Sequence, residues 1–137
     1  MNSIPPALLT ATVTLLAILF YFYASMRVGR LRAHLGIEAP ATTGHPTFER
    51  AFRVQLNTLE QMGLFLPLLW LTAFYPISLA WLAPLVGCIW VLGRVIYLRA
   101  YMTEPKSRLV GAAISLITNL TLLIIATIGL IRAWRTA

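Results

Sequence analysis

Aspartate is absent from this chain of 137 residues, and its four acidic side chains are all glutamates. The four are scattered, so no paired-carboxylate centre is legible, and a Ser-His-Asp set is excluded outright. No glycine-rich phosphate loop occurs. The two histidines, His34 and His45, stand in or beside a loop without metal-ligand spacing, so no metal site is expected. A single cysteine, Cys88, rules out an intramolecular disulfide framework. Its place in an apolar run disfavours the thiolate and reads as that of a small buried hydrophobe. Charge as a whole is scarce: 11% of residues, where a soluble domain carries about 25%, while hydrophobic residues reach 59%. This is the balance of an integral membrane protein, and the length allows one domain, 1–137.

What is present is arginine and long apolar runs. Net charge is +7, which in a soluble protein would invite nucleic acid. Here the basic residues flank or interrupt apolar segments, so membrane lipid headgroups or an anionic ligand are the expected partners, with no nucleic acid. The first charge in the chain is Arg27, so the N-terminal apolar run lacks the positive start of a signal peptide and reads as a retained first helix. A bilayer core of about 30 Å takes about 20 helical residues. Residues Gln61 to Gly93 carry no charge, and one straight helix of that length would reach about 50 Å. Tyr75-Pro76 therefore marks a tight turn inside the run. The expected architecture is all-α, a membrane bundle of four helices spanning about 5–32, 47–74, 78–102 and 106–134. The one substantial connection, G-I-E-A-P-A-T-T-G-H-P from Gly36 to Pro46, is rich in turn-formers.

The side holding the first and third connections takes Arg27, Arg30, Arg32, Arg50, Arg53, Arg94, Arg99, Lys106 and Arg108, against Arg132 and Arg135 on the other. The positive-inside rule then puts those connections in the cytoplasm, with a bacterial inner membrane as the expected location.

The second helix is not apolar all round, as lipid alone would require. Arg53, Asn57 and Glu60 recur at i, i+4 and i+7 and share one face. Arg53 and Glu60 lie about 10 Å apart along the axis, so each is expected to find its partner on another helix, another subunit or a ligand. Arg94, Tyr97 and Tyr101 form a second such face on the third helix, and Lys106 and Arg108 open the fourth. A cluster of arginines with amide, carboxylate and phenol groups suits a small, multiply charged, peptide-like ligand. The alternative for Arg53 and Arg94 is a structural salt bridge between helices. Arg27, Arg99, Arg132 and Arg135 read as headgroup anchors.

Three stretches carry a resemblance: Ala39–Pro46, Phe48–Glu60 (F-E-R-A-F-R-V-Q-L-N-T-L-E), and Arg94–Tyr101 (R-V-I-Y-L-R-A-Y) followed by Arg108. They resemble the MAPEG superfamily (membrane-associated proteins in eicosanoid and glutathione metabolism), in the branch of microsomal glutathione transferases and leukotriene-forming glutathione transferase. The resemblance implies a homotrimer with glutathione as co-substrate, bound between subunits by Arg53, Asn57, Glu60, Arg94, Tyr97 and Tyr101. Arg32 and Gln55 would help at the periphery. Arg108 falls where the catalytic branch has the arginine that stabilises the glutathione thiolate. Two departures stand out. After Glu60 the active branch has an aromatic-proline run beginning with tyrosine, where this chain has Gln61-Met62-Gly63. The basic pair ending the first helix is split into Arg30 and Arg32, followed by Ala33.

The implied function is a membrane-bound glutathione transferase, with glutathione-dependent peroxidase activity beside it, acting on a lipophilic small-molecule substrate. One alternative is a non-catalytic lipid-binding scaffold of the same superfamily. Another is a small multidrug transporter, against which the placement of Glu60 among arginines argues.

Overall fold

The computed structural model describes residues 5–77 and 79–136. Four long helices account for nearly all of them: α1 (Pro6–Leu35), α2 (Pro46–Phe74), α3 (Leu82–Thr103) and α4 (Leu109–Thr136). A 3-10 turn at Pro105–Arg108 leads into α4. Cross-helix contacts fix the directions. Gln55 of α2 reaches Tyr21 and Ser25 of α1, Thr58 of α2 meets Arg94 of α3, and Gln61 of α2 meets Asn119 of α4. Sequence neighbours run antiparallel, giving an up-down-up-down bundle.

Local chemistry sets the helix ends. Pro6 starts α1, where a missing N–H costs nothing. Gly36 ends it at φ 64°, a left-handed cap that returns its N–H to the Arg32 carbonyl. His45 caps α2 by accepting the Thr47 N–H on Nδ1 at 3.2 Å, and Glu49 accepts the Gly44 N–H at 3.0 Å. At the far end Tyr75-Pro76 closes α2, as expected.

Two boundaries differ from expectation. The third helix begins at Leu82, and the expected start at Ser78 lies outside the described residues. The fourth begins at Leu109, because Pro105 opens a tighter turn that holds Lys106 and Arg108. Apolarity alone suggests little else, since proline one residue after Glu104 cannot continue α3.

Among the described residues, three segments are long and apolar enough to cross a membrane, Pro6–Leu35, Leu82–Thr103 and Lys106–Thr136. α2 falls short because Asn57, Glu60 and Gln61 interrupt it, so it depends on its neighbours to shelter those groups. Its buried stripe, Phe48, Ala51, Val54, Thr58, Met62, Phe65 and Leu69, supplies the core. There Phe65 stacks on Trp90 at 4.0 Å, against Val13, Ala17 and Leu122. The outward side chains are large and apolar, among them Phe22, Leu64, Leu92 and Ile117. Such a surface requires lipid or further protein, in keeping with an integral membrane bundle. Cys88 is exposed on that surface, not buried as its neighbours implied.

α3 and α4 are drawn together by glycine. A Cβ on Gly111 would stand 2.5 Å from the Tyr97 backbone nitrogen, and one on Gly93 would stand 2.6 Å from Ile114. Gly111→Ala should therefore push the helices apart and cost about 1–3 kcal/mol. Gly63, with nothing within 4 Å, is the control: Gly63→Ala should be neutral or stabilising, by up to about 1 kcal/mol. Thermal unfolding of both variants in detergent checks the pair, and equal melting temperatures would contradict the close approach.

Candidate functional site

At the end of the bundle formed by the first and third connections, α2, α3 and the start of α4 part around a cavity of about 260 Å³. That size lies near the lower end of ligand pockets, about 300–1,000 Å³. α2 contributes Arg53, Asn57 and Gln61, and α3 contributes Arg94 and Tyr97. Arg108, Ala112 and Ser115 complete the wall. The turns of α2 explain its share: positions 53, 57 and 61 are spaced by four and form one row. Among the described residues three guanidiniums and no carboxylate line the space, so the wall is positively charged.

Arg94 is the deepest of the three, 1% exposed. Its Nη2 donates to Thr58 Oγ1 at 2.9 Å, and that hydroxyl donates onward to the Val54 carbonyl at 2.7 Å. The guanidinium lies over the Tyr97 ring at 4.3 Å and 6.0 Å from the Trp90 centroid. These faces offset part of the cost of taking a charge out of water. Its Nε is buried without a partner. A hydroxyl and two aromatic faces hold this residue, where the alternative reading had a salt bridge between helices.

Tyr97 and Tyr101 stack at 5.6 Å, and the Arg108 guanidinium lies 5.5 Å from the Tyr101 centroid. Arg94, Tyr97, Tyr101 and Arg108 thus form one continuous train of rings and cations beside the cavity. Arg108 itself remains exposed.

Other expected residues stand elsewhere. Glu60 is exposed and accepts from Asn57 Nδ2, on its own helix, at 3.4 Å. Gln55 turns to α1 and donates to Ser25 at 3.2 Å. Arg32 donates to the carbonyls of Ile37 and Glu38 at 3.3 and 3.2 Å and lies over Phe48 at 4.8 Å, which ties down the first connection. Arg50 does the same for the end of α3, donating to Met102 and Thr103 carbonyls at 3.3 Å. Sequence reading missed Thr58, Ser115 and Asn119, and met Gln61 only as a departure. Gln61 Oε1 accepts from Asn119 Nδ2 at 3.0 Å. A polar residue amid an apolar helix was the available signal for Asn119.

A four-helix bundle with an apolar outer surface and an arginine-lined cavity at one end defines an all-α membrane protein class. Comparison with known proteins names the family. The profile of the MAPEG family matches residues 10–128. The chain is 41% identical over 126 residues to an uncharacterized protein of Synechocystis, covering 92% of this chain and 88% of that one. It is 38% identical over 123 residues to leukotriene C4 synthase of Cavia porcellus, 90% and 81% covered. With microsomal glutathione S-transferase 2 of Homo sapiens it shares 31% over 124 residues, 90% and 83% covered. The chain belongs to the MAPEG family.

The Thr58 contact generates a prediction. Thr58→Val keeps the shape but removes the acceptor of a buried guanidinium, and should cost about 1.5–3 kcal/mol. Thermal melting in detergent measures it, and an unchanged midpoint would mean that Arg94 finds another acceptor.

Proposed function

We propose that this protein is a membrane glutathione transferase that joins glutathione to a lipophilic electrophile through an arginine-stabilised thiolate. The observation carrying this reading is the cavity wall: Arg53, Arg94 and Arg108 converge with Asn57 and Tyr97, and no carboxylate stands among them. Glutathione fits that donor set. Its two carboxylates suit guanidinium forks, its amides suit Asn57, and the buried Arg94 Nε has a donor to spare. The names of the relatives, leukotriene C4 synthase and microsomal glutathione S-transferase 2, support the same class.

Arg53, Arg94, Asn57 and Tyr97 hold the tripeptide in this reading, with Tyr101 and Glu60 at its edges. Arg108 is the catalytic residue. A thiol with a pKa near 8.5 is only a few per cent ionised at neutral pH, and an adjacent guanidinium raises that fraction by favouring the charged form. The thiolate then attacks an electrophile that arrives from the lipid. Arg32 and Gln55 act outside the cavity, as supports of the first connection and of the α1–α2 contact. The exposed state of Arg108 and the large apolar outer surface support assembly as a homotrimer, with a neighbouring subunit closing the site. The positive-inside bias supports a cytoplasmic position for the cavity.

Ultraviolet difference absorbance in the thiolate band, on detergent-purified protein titrated with glutathione at neutral pH, tests the reading. Wild type should show the band. Arg108→Ala should lose it, and lose about a hundredfold in kcat, while still binding glutathione. Glutathione binding without a thiolate band in wild type would transfer the protein to the non-catalytic scaffold class.

A further inference from the structure

A second cavity adjoins the first. It lies between α2 and α4, has a volume of about 300 Å³, and is walled by Leu64, Pro67, Leu116 and Leu120 among other apolar side chains. Gln61 belongs to both walls, and Asn119 belongs to the second. The polar cavity and the apolar groove therefore meet at one amide pair. Asn119 lies eleven residues beyond Arg108, about 16 Å along the axis, within the apolar stretch of α4.

An asparagine there is costly unless its hydrogen bonds are made. One is: Nδ2 donates to Gln61 Oε1 at 3.0 Å. A structural staple between α2 and α4 accounts for that bond. It does not account for Asn119 Oδ1, which is buried without a partner in a residue only 7% exposed. Two amides joined by a single bond keep one whole carbonyl oxygen and one whole NH2 group in reserve, whichever of them gives the bond. Here these are Asn119 Oδ1 and the Gln61 NH2 group. A carbonyl answers only the donor, and a saturated chain answers neither. A hydroxyl answers both.

We infer that Gln61 and Asn119 are specificity-determining residues, and that the groove takes a lipophilic electrophile carrying a hydroxyl beside its reactive carbon. This rests on the transferase reading and names the substrate class for it. The apolar tail lies along α2 and α4, the hydroxyl spans the amide pair, and the reactive carbon is held towards the cavity that carries Arg108. For a hydroxylated enal the chemistry is an addition. The thiolate sulfur bonds to the β-carbon, the double-bond pair shifts towards the carbonyl, and the proton lost by the thiol ends on the α-carbon. No group leaves, and nothing is oxidised or reduced.

The experiment compares nonenal with hydroxynonenal as electrophiles for the full-length protein, each rate divided by its uncatalysed rate with glutathione. A chlorodinitrobenzene assay runs beside them. Wild type should favour the hydroxylated compound roughly tenfold or more in kcat/KM, because a site built around a hydroxyl leaves its own polar groups unpaired when the hydroxyl is missing. Asn119→Leu and Gln61→Leu should each bring that ratio close to one, whereas a merely structural defect would lower both rates together. If Asn119→Leu does not fold, Gln61→Leu carries the test. A wild-type ratio near one, or a ratio that survives in the folded variants, overturns the inference. Turnover of chlorodinitrobenzene with neither enal also overturns it and leaves the transferase reading standing. Absence of turnover with all three electrophiles, together with no thiolate band, overturns both.

Discussion

A guanidinium almost completely withdrawn from solvent is the constraint around which this bundle is arranged. Arg94 cannot lose its charge, so its surroundings must accommodate it. Thr58 supplies an oxygen and passes its own proton to the backbone, while Trp90 and Tyr97 offer ring faces. Each of these groups has to sit within a few ångströms of one point, which sets how α2 and α3 approach each other. The Phe65–Trp90 stack continues the same seam one turn deeper. Arg94 also contributes to the wall of the cavity, while its Nε stays buried without a partner. One residue thus joins the core of the bundle to the cavity.

α2 joins two environments along its length. From Pro46 to Gln61 it carries the charges and amides of the cavity, and from Met62 to Phe74 it is apolar and lines the groove. Gln61 stands at the border. An aromatic side chain there would wall the groove from the cavity, whereas an amide leaves them connected by hydrogen bonding. The departure at this position therefore changes the border between groove and cavity, while Arg53, Asn57, Arg94 and Tyr97 remain in the cavity wall.

Much of this was legible in the chain because helix periodicity reports faces. Arg53 with Asn57, and Arg94 with Tyr97, were grouped by spacing and do share a wall. Periodicity does not report which neighbour a face meets. Gln55, two residues from Arg53, therefore proved to serve α1, and Arg32 folded back on its own connection. Thr58, Ser115 and Thr118 were illegible for another reason. Each returns its hydroxyl to the preceding turn and so passes as a neutral helix residue, until a partner such as Arg94 uses the oxygen. The 3-10 turn at Pro105–Arg108 escaped as well, because a proline announces a break without stating the geometry that follows it.

Gly111 and Gly129 lie eighteen residues apart, five helical turns, so they occupy the same face of α4. Each admits backbone where other residues would place a side chain: Gly111 against Tyr97, Gly129 against the Tyr75 carbonyl. In mechanical terms α4 is a beam clamped near both ends. A third tie stands at mid-span, where Asn119 bonds Gln61 and the Leu122 carbonyl accepts from Thr72 Oγ1. The beam is therefore propped at the point where an end-clamped one would deflect most, and Arg108 projects three residues outside the first support.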